Sequence, residues 1–114
     1  MNILVITKKE QQFINAYFEA IDFTDTGDTD QPESGTELDD SFKRESIIDC
    51  LSFYSRIYYY LSYDRIEEAA HDFWYTRNGH GVGFWDGDWE TYGDMFTKIA
   101  EGYGETNSYF EEIL

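Results

Sequence analysis

The stretch His71-Asp72-Phe73-Trp74-Tyr75-Thr76-Arg77-Asn78-Gly79-His80-Gly81-Val82-Gly83-Phe84-Trp85-Asp86 decides how this chain is expected to fold. Two runs rich in aromatic and β-branched residues, Asp72 to Arg77 and Val82 to Trp85, are joined through Asn78-Gly79, a pair that accepts the positive φ of a tight turn. Alternation then sets Phe73, Tyr75, Val82 and Phe84 on one face of a β-hairpin and Trp74, Thr76, Gly83 and Trp85 on the other. The resulting expectation is an α+β domain: two or three helices packed on a small antiparallel sheet built around this hairpin. The tail from Thr106 to Leu114 is expected to add a third strand.

Toward the N-terminus the period changes. Ile14, Tyr17, Phe18 and Ile21 stand at i, i+3, i+4 and i+7, which predicts a helix from about Glu10 to Ile21. A second helix is expected from about Phe42 to Leu61 or Ser62. It carries one apolar stripe through Ile47, Leu51, Tyr54, Tyr58 and Leu61 and another through Cys50, Phe53, Ile57 and Tyr60, and so reads as the centre of the fold. Asp39-Asp40-Ser41 supplies capping oxygens ahead of it. Asp64 to about Ala70 predicts a further turn of helix. Beyond the hairpin, Trp89, Tyr92, Met95, Phe96 and Ile99 have helical spacing, with Gly102 or Gly104 as the stop.

Between the first two helices, Asp22 to Asp40 holds eight acidic residues, no basic ones and the only proline, Pro32. It reads as a solvated acidic loop at about residues 22–40. The whole chain sets 24 Asp and Glu against 8 Lys and Arg, a net charge of −16 over 114 residues. That length suits a single domain, residues 1–114. Aromatic residues at 19% supply the core that a disordered acidic chain lacks. The field argues against direct nucleic-acid binding and against an anionic membrane surface, and points to a basic macromolecule as partner. No stretch approaches the ~20 apolar residues of a membrane span, and no secretory leader pattern opens the sequence. The lone Cys50, in an apolar run, reads as a buried hydrophobe of a reducing compartment.

Catalytic patterns are weak. His71, Asp72, His80, Asp86 and Asp88 have metal-ligating chemistry, but their spacing matches no recognised zinc or calcium arrangement, so no metal or cofactor is expected. Cys50 sits where its thiolate would be scarce, and no serine stands in a nucleophile elbow. The run from Asn78 to Gly83 lacks the lysine and the strand-to-helix setting of a phosphate-cradling loop. Carboxylates are too numerous for a pair of them to mark acid–base catalysis. The chain reads as a binding protein, not an enzyme.

The sharpest reading of the charge is nucleic-acid mimicry. Duplex DNA presents one negative charge per ~1.7 Å of axis, and rows of fixed carboxylates engage the same Lys and Arg that grip phosphates. Two rows are available. The first holds Asp22, Asp25, Asp28, Asp30, Glu33, Glu37, Asp39 and Asp40. The second holds Asp86, Asp88, Glu90 and Asp94 within Asp86 to Glu112, where eight acids face Lys98 alone. Phe23, Trp85, Trp89 and Tyr92 lie among these acids as candidate anchors. A competing reading gathers His71, Asp72, Arg77, His80 and Trp85 into a ligand site on the hairpin, with Arg77 gripping an anion. The plainer role for Arg77 is an ion pair with Asp72, Asp86 or Asp88.

The stretch from His71 to Asp86 also resembles the signature of a family of small, mostly uncharacterised bacteriophage proteins. Its usual form is Gly-His-Asp-Phe-Trp-Leu-Thr-Arg-Asn-Gly-His-Gly-Ala-Gly-Phe-Trp-Asp. A second block, Gly93-Asp94-Met95-Phe96-Thr97 through Ala100 and Tyr103-Gly104, is similar to that family's Gly-Asp-x-Leu-Thr…Ala…Tyr-Gly. Ala16 to Ala20 shares a Tyr and a Glu with its first helix. The chain departs from the pattern at Ala70, in place of Gly, and at Gly87-Asp88-Trp89, where a basic residue commonly follows the Asp. The resemblance implies a phage origin and action in the cytoplasm of a bacterial host. It carries no activity with it. Joined to the charge, it makes a basic nucleic-acid-binding host protein (a restriction, CRISPR or repair enzyme) the expected partner, with a phage regulatory or structural partner as the alternative.

Overall fold

Thr7 and Glu10 start the first helix by capping each other. The Glu10 N–H donates to Thr7 Oγ1 at 3.1 Å and the Thr7 N–H to Glu10 Oε1 at 2.9 Å, so two N-terminal amides find acceptors reciprocally. The computed structural model describes residues 5–25, 36–79, 83–86, 89–106 and 110–112. Helix α1 spans Lys8–Asp25, a turn beyond Ile21, so Asp22 and Asp25 belong to a helix and not to a loop. Helix α2 spans Asp40–Ile57 and begins at the expected cap, where Asp39 Oδ2 accepts from the N–H groups of Ser41 (3.0 Å) and Phe42 (3.2 Å). It stops earlier than its apolar stripes suggest, and Tyr58–Tyr60 forms a 3-10 turn. A second such turn, Tyr63–Arg65, runs directly into helix α3, Ile66–Arg77. Further 3-10 turns at Phe84–Asp86 and Glu90–Tyr92 precede helix α4, Gly93–Glu101, which ends at Gly102.

Helix α3 overturns the α+β expectation. What reads as the first strand of a hairpin is the second half of a helix. Ala69 and Ala70, Phe73 and Trp74, and Thr76 and Arg77 are buried as neighbouring pairs, together with Ile66. Neighbouring pairs three to four residues apart form the inner face of a helix, whereas a strand buries every second residue. Ile66 to Arg77 is one amphipathic run, and a break drawn at His71 splits its single period into a short helix and a false strand. Asn78-Gly79 keeps its taste for positive φ, with Gly79 at +69°, but uses it to end α3. Val82 of the supposed second strand lies outside the described residues, and Phe84 and Trp85 sit in a 3-10 turn. Among the described residues the paired strands are β1, Thr36–Leu38, and β2, Phe110–Glu112, antiparallel, with Glu37 opposite Glu111 and Leu38 opposite Phe110. Part of the tail is therefore extended, beside the segment that enters α2.

The centre of the core is α3, not α2. It packs most extensively against α1 and also meets α4. Ala16, Ala20, Ala69 and Ala70 are all buried on α1 and α3, and such small side chains permit close helix approach. Beside them the Phe53 and Phe73 rings stack 4.1 Å apart, 2° from parallel, with Phe13, Tyr17, Phe84 and Tyr103 around them. Gly93 is required by contact, because a Cβ there would meet the Phe84 carbonyl oxygen at 2.8 Å.

Burial also sets an alkaline limit. Desolvation pushes the Tyr17 phenol and the Cys50 thiol well above their ordinary values of 10.0 and 9.0, against an opposing pull from Arg77. Both groups hold their protons more tightly folded than unfolded, so the stability they contribute is complete below those ordinary values and is lost as pH rises past them. Thermal melts are expected to be level up to about pH 9 and to fall steadily above it. A melting temperature unchanged to about pH 11 would contradict this.

Candidate protein-binding surface

Several polar side chains of the 71–86 stretch are occupied inside the fold. The Arg77 guanidinium is buried. Its Nε donates to the Gly104 carbonyl (2.8 Å), Nη1 to Asp49 Oδ2 (2.9 Å) and Tyr17 Oη (3.2 Å), and Nη2 to the Tyr103 carbonyl (3.1 Å). One side chain thereby ties α1, α2 and α3 to the segment after α4. Among the described residues its ion-pair partner is Asp49 and not Asp72, while the Asp86 side chain and Asp88 lie outside what is described. Asn78 continues the seam by accepting the Thr106 N–H at 2.7 Å. Thr76 Oγ1 accepts the Phe84 N–H at 3.2 Å. Asp72 Oδ2 accepts the Trp89 indole N–H at 2.7 Å.

The ligand-site residues are therefore dispersed. Arg77 points inward, Asp72 holds Trp89, His71 faces α1, Trp85 is exposed, and His80 lies outside the described residues. Among the described residues no three His, Cys, Asp or Glu side chains gather as a metal site, and no helix is long and apolar enough to cross a membrane.

The acidic rows fare differently. Asp22, Asp40, Glu90 and Asp94 are exposed. Glu19 and Asp22 stand three residues apart on α1, a rise of about 4.5 Å, and the helix continues to Asp25. Asp39 is spent on capping, and Asp40 pairs with Lys43 at 3.3 Å. Glu37 lies in β1 and Asp86 ends a 3-10 turn; Asp28, Asp30, Glu33 and Asp88 lie outside the described residues. The β1–β2 register sets the backbone of Glu37 opposite that of Glu111. Glu90 adopts φ +50°, a left-handed conformation that costs a non-glycine residue about 1–2 kcal/mol. All eight basic residues are described, and Lys43, Arg65 and Arg77 are held in ion pairs.

Of the four candidate anchors, Phe23, Trp85 and Tyr92 are exposed, and Trp89 is buried between Phe84, Phe96 and the Arg65 guanidinium, which stacks 3.7 Å above its ring. Sequence reasoning missed two features. Tyr58, Tyr59, Tyr60 and Tyr63 are exposed beyond the end of α2, where Tyr60 meets Tyr92 at 5.2 Å. Their signal was available, since successive residues 100° apart cannot all share one buried stripe. The other is a groove between α1 and α3 walled by Phe23, His71 and Tyr75, invisible in sequence because it needs the α3 that the hairpin reading removed. Comparison of the chain with protein families, curated proteins and solved structures gave no match.

Proposed function

We propose that this chain is a phage-encoded acidic inhibitor that occupies the nucleic-acid-binding surface of a host defence or DNA-processing protein, such as a restriction, CRISPR or repair enzyme. The observation that carries the reading is the run from Glu10 to Phe42 in the sequence, ten acids and no base, within a chain of net charge −16, with Glu10, Glu19, Asp22 and Asp25 on α1 and Asp40 opening α2. A field of that sign raises the encounter rate with a basic groove and engages its Lys and Arg as phosphates would. The exposed rings of Phe23, Trp85 and Tyr92 add apolar contact to a surface that charge alone would leave unspecific. The protein acts by occupancy, without covalent chemistry. The phage origin rests on the resemblance of residues 71–86.

The test is displacement of a labelled duplex from restriction, CRISPR and repair nucleases of bacterial hosts. Reversal to Lys of Asp25, Asp28, Asp30 and Glu33 together, or of Asp86, Asp88 and Glu90 together, is expected to weaken displacement on the order of 100-fold. The circular-dichroism helix signal should stay intact. Two folded variants that displace DNA as well as the parent would refute the reading.

A further inference from the structure

The groove between α1 and α3 encloses about 230 Å³ and is lined by Glu19, Ala20, Phe23, His71 and Tyr75. Glu19 and Phe23 on α1, and His71 and Tyr75 on α3, are each one turn apart, so two helices offer neighbouring side chains to one opening. Its chemistry is mixed. Two aromatic rings form walls, and the Glu19 side chain is 69% exposed at the rim. His71 Nε2 is buried, 3.5 Å from Glu19 Oε1, and makes no hydrogen bond. A buried polar atom left in that state costs about 1–3 kcal/mol.

The occupant must answer the two rings and the exposed carboxylate. An apolar side chain would cover the exposed Glu19 carboxylate without answering its charge. An anion would meet Glu19 on a helix with no Lys or Arg from Glu10 onward. A guanidinium fits: its plane stacks on an aromatic face while its edge donates to the exposed Glu19 carboxylate. We propose that this groove is an anchor pocket for an arginine side chain presented by the basic partner. The inference rests on the functional reading above and sharpens it, because it makes the contact arginine-selective. A lysine ammonium has no plane to stack on Phe23 or Tyr75 and no planar fork to match the Glu19 carboxylate.

Hexa-arginine and hexa-lysine peptides, titrated into the full chain at ~0.15 M salt, separate the two ideas. The intact protein is expected to prefer hexa-arginine by roughly tenfold, with the His71 ring NMR signals shifting for that peptide only. Phe23→Ala, at a position 62% exposed, should bring the preference close to unity, as should Glu19→Gln, while hexa-lysine affinity changes less than about twofold. If neither peptide binds, the acidic-surface reading and the pocket fall together. If both bind and the two variants keep the arginine preference, the pocket is refuted and the wider reading stands.

Discussion

Replacing Arg77 with Met is expected to cost about 3–4 kcal/mol of stability. Removing one partner of a buried ion pair strands the other, a loss of about 3–5 kcal/mol in general. The 31% exposure of Asp49 lets water relieve part of this and sets the value at the low end. Tyr17 Oη and the carbonyls of Tyr103 and Gly104 lose their donor as well. For a domain of this size that is a fall of roughly 10–20 °C in Tm. Arg77→Lys should restore less than half of it, because a compact ammonium has three donors and no fork to span groups on three other segments. Urea titration of the three proteins checks this. A loss below about 1 kcal/mol for the Met variant would show that the guanidinium is not the seam described here and would return it to the role of anion binder.

Trp89 provides the second large effect and separates scaffold from surface. Trp89→Ala is expected to cost about 3–5 kcal/mol, the usual range for emptying a buried aromatic site. Its ring packs on Phe84 and Phe96 and its N–H holds Asp72. Trp89→Phe keeps most of the ring and loses the hydrogen bond, for about 1–2 kcal/mol. Duplex displacement by the folded fraction of either variant should match the parent. Trp85→Ala and Tyr92→Ala, at 44% and 42% exposure, should behave in the opposite way, with stability within about 0.5 kcal/mol of the parent and weaker displacement. Full stability in Trp89→Ala, with displacement lost, would make Trp89 a partner contact after all.

The helices were legible wherever local chemistry marks both period and boundary. The α1 stripe and the Asp39 cap needed no tertiary information, and Thr7 with Glu10 spelled a reciprocal cap that a reading of apolar spacing alone passed over. The end of α2 had no marker: Ile57 is followed by three tyrosines, without Gly or Pro, so the stripes ran on into residues that are exposed. The α3 error has the same root. Asn-Gly favours positive φ whether it turns a hairpin or closes a helix, and only the continuity of Ile66, Ala69 and Ala70 with Phe73 and Trp74 distinguishes the two. The role of Arg77 was beyond reach, since its partner Asp49 lies 28 residues away and pairs with it only once α2 and α3 are packed. The acidic rows were legible as composition, while the groove beside them required the helix that the hairpin expectation replaced.

The central claim is tested most directly by displacing a labelled duplex from a basic nuclease across a salt series. The account predicts near-stoichiometric displacement at ~0.15 M salt by the parent chain, with the chain's own affinity for the nuclease falling linearly against the logarithm of salt concentration. No displacement from any restriction, CRISPR or repair enzyme even at ~0.05 M salt, or an affinity indifferent to salt, would contradict it.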